Sequence, residues 1–261
     1  MNFISKNKKQ ILLGIVAVLS VATLLLTGKV LQLLLVSKSE VQANLALQSA
    51  YVEVMETSQP QETEESSETE AGMTSPIDVD FPGLLAINPD VVGWLYCEGT
   101  KIDYPVLHSF DDVFYLSRNI QRNSAVGGSI FLSCSNFADF SDTHCILYGH
   151  RMTNGTMFGN LGLWEDADYF LSHPLYLNTV GSGNYLLKPI AILETPYNSP
   201  VYTLDFSPEE LALWVDWLRS ESLVDSSYTF HSGDRFISFS TCSRHRNDTR
   251  LVLSCVMIPI K

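Results

Sequence analysis

Basic residues are scarce in this 261-residue chain: 16 lysines and arginines stand against 29 aspartates and glutamates, a formal net charge of −13. They form no patch or stripe, which excludes the electrostatic footprint of a nucleic-acid binder. There is no C-x-x-C pair, and the loose set Cys134, His144, Cys145 and His150 fits no usual zinc spacing, so no metal framework is expected. No internal repeat is visible, so a repeat architecture is not expected.

Charge is missing altogether from residues 11–27, and after Lys29 the apolar character resumes over residues 30–36. Together these make a helix long enough to cross a hydrocarbon core of about 30 Å with some tilt. Lys29 is read as a snorkelling residue near the outer interface. Lys6, Lys8 and Lys9 precede the segment and the chain beyond it soon turns acidic, so residues 1–10 are expected in the cytoplasm, 11–36 in the membrane and the remainder outside. The competing reading is a cleaved secretory signal, and it exports the same domain.

Apolar side chains are nearly absent from residues 53–75, which read as Glu, Ser, Thr, Gln and Pro. Such a composition cannot bury enough surface to offset the entropy of ordering, so residues 37–75 are expected to form a disordered acidic stalk. The seven glutamates of residues 53–75 carry much of the net charge, so the acidity describes a tether more than the surface of the following domain, residues 76–261. That domain is expected to fold without the first 75 residues. Five cysteines, Cys97, Cys134, Cys145, Cys242 and Cys255, are an odd number for an exported chain, so at least one thiol is left over unless it bonds another molecule.

Within residues 76–261, runs rich in β-branched and aromatic residues recur at 91–96, 101–106, 129–132, 145–148, 175–179, 185–193, 236–241 and 251–258, each bounded by Gly, Pro, Asn, Asp or Ser. Eight short strands predict an all-β barrel or sandwich. Gly181-Ser182-Gly183 marks a hairpin between the fifth and sixth. One helix interrupts the series: Ser207 as N-cap, Pro208 at the first helical position and Glu210 completing a capping box, with Leu211, Trp214, Val215 and Leu218 as its apolar stripe. Shorter helices are expected around residues 81–87 and 111–117.

The run from Phe236 to Cys242 alternates, so Phe236, Ser238, Ser240 and Cys242 share one face and Ile237 and Phe239 the other. After a polar loop of seven residues the pattern resumes at Arg250, with Leu251, Leu253, Cys255 and Met257 on one face. If these strands pair, Cys242 and Arg250 meet at the hairpin mouth. A free thiol with a pKa near 8.5 is only slightly ionised at neutral pH, and a nearby cation promotes the thiolate. Arginine supplies a permanent charge and can donate to the oxyanion formed when a thiolate attacks an amide carbonyl. A third group must carry the proton to the departing amine, the usual work of histidine. His150 is the best placed of six, because residues 145–148 read as a strand that ends at Gly149. His108, His144, His173, His231 and His245 lack that setting, although His245 lies in the loop before Arg250. Arg246 in the same loop is a rival for the arginine role.

Ser240-Thr241-Cys242, followed by Arg250 and preceded far upstream by Tyr148-Gly149-His150, resembles the catalytic signature of sortases. Asn154-Gly155-Thr156-Met157-Phe158-Gly159 is similar to the segment after the histidine in class B members. Asn88-Pro89-Asp90-Val91-Val92-Gly93-Trp94-Leu95, Tyr104-Pro105-Val106 and Gly128-Ser129-Ile130-Phe131 extend the likeness over residues 84–258. The helical connection between strands six and seven matches a class B elaboration. The resemblance implies an eight-stranded sortase barrel and a transpeptidase. In it, Cys242 attacks a Thr carbonyl in the sorting signal of another exported protein, His150 protonates the leaving group, and Arg250 orients the substrate and steadies the oxyanion. The acceptor amine would belong to a cell-wall precursor or a pilin-type surface protein. Ser240 is expected to contact substrate and Tyr202 to line the groove; no cofactor, metal or calcium site is implied. The basic loop holding Arg244, His245 and Arg246 departs from the family pattern. Other readings of the residues are an exported cysteine peptidase or hydrolase, which differs only in what resolves the thioacyl intermediate, and a surface binding module in which Cys242 is an ordinary thiol.

Overall fold

The computed structural model describes residues 2–55, 73–243 and 248–261, with side chains from residue 12 onward. Two compact units divide the chain, Met1–Leu45 and Ala46–Lys261. The first is helical. Helix α1, Asn2–Tyr51, contains the apolar run and is long and apolar enough to cross a membrane.

Residues 37–51 continue this helix instead of opening a disordered stalk. No glycine or proline occurs between Gly28 and Pro60, and Ala, Leu, Gln, Glu and Lys all favour helix there. Strand β1, Val52–Val54, follows at once and pairs antiparallel with β2, Ile77–Val79, in the register Val52↔Val79 and Val54↔Ile77. The residues that flank this segment are therefore held side by side, while residues 56–72, where most of the expected acidic stalk falls, lie outside the described residues. The compact unit begins at residue 46, thirty residues before the expected boundary of 76. Leu47 is buried in a cluster with Ile77, Leu84 and Trp94, and Tyr51 and Val52 pack against it. Gln48 Nε2 donates to the Asp103 carbonyl at 2.7 Å.

A chain of residues 46–261 should accordingly be more stable than one of residues 76–261, by about 2 to 5 kcal/mol for the apolar side chains lost. Urea denaturation of the two purified proteins measures this. Replacing residues 56–72 with a short Gly-Ser linker should leave the midpoint of the longer chain where it was.

Eight strands close into a barrel: β3 (Val91–Tyr96), β4 (Asp103–His108), β5 (Ile130–Leu132), β6 (His144–Tyr148), β7 (Leu175–Thr179), β8 (Gly183–Pro196), β9 (Phe236–Cys242) and β10 (Thr249–Ile260). All eight runs read from the sequence are strands. Their order around the barrel is β10-β8-β7-β3-β4-β5-β6-β9, closed by pairing of β9 with β10. The pairs β4/β5 and β6/β9 are parallel and the others antiparallel. Gly181 and Gly183 take φ of 84° and 98° in the turn between β7 and β8, a conformation that glycine adopts without a Cβ clash.

Strand alternation sorts the side chains into three apolar clusters. The inner cluster holds Leu95, Leu132, Leu147, Phe158, Trp164, Ile237, Phe239, Leu251, Leu253 and Cys255, with Phe170 of helix α3, Ala167–Ser172. One outer face, formed by Phe236, Val252 and Val256 with Ile190, is covered by helix α4, Pro208–Glu221, through Leu211, Trp214, Val215 and Leu218. The capping box is complete, with Ser207 accepting from Glu210 N and Glu210 Oε2 accepting from Ser207 N. Another outer face carries Trp94, Leu107, Tyr115 and Phe131, covered by Leu84 of helix α2, Phe81–Ile87, and by Leu47. The expected helix at 111–117 is a single 3-10 turn, Phe114–Ser117, after Asp111, whose carboxylate accepts from the amides of Val113 and Phe114.

Candidate active site

Three adjacent strands, β6, β9 and β10, deliver the candidate residues to one end of the barrel. In β9 the side chains alternate as expected: Ile237 and Phe239 enter the barrel core, while Phe236 packs outside under α4, which places Ser238, Ser240 and Cys242 on the outer side. In β10 Leu251, Leu253, Cys255 and Met257 face inward, so Arg250 points outward with Val252 and Val256. Cys242 and Arg250 are direct cross-strand partners. Residues so paired stand about 4.5 to 5.5 Å apart at Cα, with their side chains on the same face.

On the other side of β9, the parallel register with β6 runs from His144↔Phe236 to Tyr148↔Ser240. Gly149 N donates to Ser240 O at 3.3 Å, and the Thr241 hydroxyl donates to Gly149 O at 2.8 Å, which carries the same track one residue further. Its next step sets His150 beside Cys242. Gly149 allows this approach because a Cβ there would stand 2.4 Å from Ile130 Cδ1 and 2.8 Å from the buried Phe158 ring. Cys242 thus lies between His150 and Arg250, and all three line one cavity of about 460 Å³.

His150 Nε2 is 2.8 Å from the carbonyl oxygen of Leu116. A carbonyl only accepts, so Nε2 carries hydrogen and Nδ1 is the nitrogen that can exchange a proton. The half-buried Arg250 donates from Nη1 to the Thr249 carbonyl at 3.2 Å. Cys242 is one of two exposed cysteines. The others are held as thiols: burial pushes Cys97 and Cys145 up to about 12 and Cys255 well above the ordinary range. The exposed Cys134 is also raised, by desolvation and then by the Asp112 carboxylate.

Ser240 and Tyr202, expected to contact substrate, both line the cavity and hydrogen-bond each other at 2.9 Å. Burial raises the Tyr202 phenol, while Ser240 and the Arg250 charge pull it down. Tyr202 ends a 3-10 turn, Pro200–Tyr202, fixed on both sides. Trp214 Nε1 of α4 donates to Pro200 O at 2.9 Å, and His144 Nδ1 donates to Thr203 O at 2.7 Å. The helical connection therefore supplies a wall of the site.

Sequence reasoning missed Asp112, Leu116, Phe131, Tyr148 and Tyr197 as cavity-lining residues. Asp112 accepts from Cys134 N at 2.6 Å and from the Ser133 hydroxyl at 3.1 Å, and after burial its charge is the next cause raising the Tyr148 phenol. Tyr148 was within reach, since it precedes Gly149-His150 at a strand end; the other four come from segments distant in sequence. Among the described histidines, His150 alone lines this cavity; the rival Arg246, with Arg244 and His245, lies outside the described residues.

His144 is structural. Fully buried, it packs tilted against Trp214 with ring centroids 4.7 Å apart, and its Nε2 meets the Ser238 hydroxyl at 2.8 Å. Burial holds its pKa down to about 4. An unfolded histidine titrates near 6.5, so as pH falls from there to about 4 the unfolded chain takes up a proton that the native state refuses. Stability should fall across that window by roughly 3 kcal/mol on this account. Urea denaturation at pH 7.5 and 4.5 measures the drop, and His144→Gln should show less of it; an unchanged drop in the variant would remove His144 as the cause.

A closed eight-stranded barrel with cysteine, histidine and arginine at the ends of three adjacent strands defines a sortase-type barrel. No protein-family model matches the chain. Sortase B of Listeria monocytogenes is 34% identical over 167 residues, covering 63% of this chain and 67% of that protein. The structure of sortase B from Bacillus anthracis in complex with AAEK1 superposes with a TM-score of 0.70 at 28% identity, covering 87% of this chain and 99% of that one. A sortase B–substrate complex from Staphylococcus aureus gives a TM-score of 0.65 at 26% identity over 69% of this chain and 85% of that one. The chain belongs to the class B sortase family.

Proposed function

We propose that this sortase is a membrane-anchored cysteine transpeptidase, with Cys242 as nucleophile, His150 as the proton-transfer group and Arg250 as the oxyanion and orientation group. The convergence of Cys242, His150 and Arg250 on one cavity, at the ends of β9, β6 and β10, supports the reading. The Cys242 thiolate adds to the carbonyl carbon of a Thr in a sorting signal, and the oxyanion forms within reach of the Arg250 guanidinium. As the C–N bond breaks, the imidazolium passes its Nδ1 proton to the departing amine. A thioacyl enzyme remains. An acceptor amine then attacks it, Nδ1 takes the amine's proton, and the C–S bond breaks to return the thiolate.

The substrates on this reading are exported proteins bearing sorting signals, joined to an amine of a cell-wall precursor or of another surface protein. Tyr202 and Ser240 form the groove wall that the peptide meets. Residues 11–36 anchor the protein, with residues 1–10 inside the cell and the barrel outside.

Incubating residues 46–261 with a library of peptides bearing Pro and Thr in sorting-signal arrangements, with and without an added amine, tests this by mass. Cleavage after Thr with the amine attached to the new carboxyl end is expected. Cleavage yielding only the free acid at every amine concentration would make the protein a hydrolase, and no cleavage would remove the enzymatic reading.

A further inference from the structure

The structure assigns a positioning role to Glu194, which clamps both ends of the segment joining Cys242 to Arg250; the inference rests on the function proposed above. Ser243 directly follows the cysteine and Thr249 directly precedes the arginine. One carboxylate oxygen of Glu194, Oε1, accepts from both their hydroxyls, from Ser243 Oγ at 2.5 Å and from Thr249 Oγ1 at 2.8 Å. Ser243 N also donates to Thr249 O at 3.1 Å, the carbonyl that accepts from Arg250 Nη1. Ser243 and Thr249 are 7% and 6% exposed, so water cannot readily replace the carboxylate.

Glu194 stands behind the site. It pairs with Leu251 across β8 and β10, and Leu251 faces the barrel interior. By strand alternation Ser243 and Thr249 share that inner side, whereas Cys242 and Arg250 emerge on the outer side. The carboxylate is therefore not among the residues of the cavity that would hold substrate. It acts through the backbone, holding residues 243 and 249 at one point so that their neighbours leave the sheet directly opposite each other. A shift of about 1 Å in reacting groups can cost about 100-fold in rate, so a loosened clamp is expected to show in turnover more than in affinity.

Three variants of residues 46–261 test this: Glu194→Ala, Glu194→Gln and the pair Ser243→Ala with Thr249→Val. Steady-state cleavage of a sorting peptide, Cys242 labelling by a methanethiosulfonate and urea denaturation are measured for each. Glu194→Ala should lower kcat by about 10- to 100-fold with KM within about two-fold, and Glu194→Gln should recover most of it, because the amide oxygen still accepts from both hydroxyls. The Ser243/Thr249 pair should match Glu194→Ala, and combining all three changes should add little further loss. If Glu194→Ala does not fold, the hydroxyl pair decides alone. A wild-type kcat in that pair, or losses in the combined variant that simply multiply, would overturn the clamp. Failure of the proposed function is separate: the wild-type protein itself would then cleave no sorting peptide, whatever the variants do to Cys242 labelling.

Discussion

Cys242→Ala is expected to abolish peptide cleavage, with turnover at the uncatalysed background, while the midpoint of urea unfolding stays within about 1 to 2 kcal/mol of wild type. The side chain is exposed at the end of β9, outside the three apolar clusters, so deleting its sulfur leaves no cavity. Neither remaining type of thiol can substitute. Cys97, Cys145 and Cys255 are buried, and Cys134 is drawn toward the neutral thiol beside Asp112. A methanethiosulfonate should accordingly label the wild-type chain at Cys242 and lose that adduct in the variant. Retained cleavage in Cys242→Ala would remove the nucleophile and the transpeptidase mechanism together.

Arg250→Lys should lose cleavage by about 10²- to 10³-fold, by analogy with the removal of an oxyanion donor. Lysine keeps the charge but not the planar fork, so the loss measures how far geometry, rather than charge, matters. The register makes the comparison sharp, since Arg250 is paired with Cys242 and its guanidinium is near enough to offset part of the rise that burial gives the Tyr202 phenol. Arg246→Lys, in the loop outside the described residues, should be nearly neutral. Cleavage rates for both variants on one peptide decide between them, and a larger loss at Arg246 would transfer the role.

Strand existence was legible because the barrel has an inside. Leu251, Leu253, Cys255 and Met257 alternate with outward residues over β10, and the same period runs through β9, so two strands of opposite slope around a polar loop could be paired on paper. The α4 cap was legible for a local reason: Ser207 and Glu210 satisfy each other's amides within three residues. What failed was non-local. Val52–Val54 is too short to announce a strand, and its partner Ile77–Val79 lies across a run of glutamate and serine that dominates the composition. Sequence statistics assigned the whole stretch one character, whereas backbone pairing closed its base.

The candidate site divides along the same line. Residue type and strand period nominated Cys242, Arg250 and His150, and the resemblance to sortases joined them into one candidate site. Sequence could not show that β6 and β9 run parallel with Tyr148 opposite Ser240, the pairing that brings His150 beside Cys242 from 92 residues away. Nor could it show that α4 and His144 hold the Tyr202 turn over Ser240, or that Leu116 fixes which imidazole nitrogen is free. Local periodicity is written in neighbouring residues; strand order and hydrogen-bond partners depend on which distant surfaces meet, and only closure of the barrel settles that.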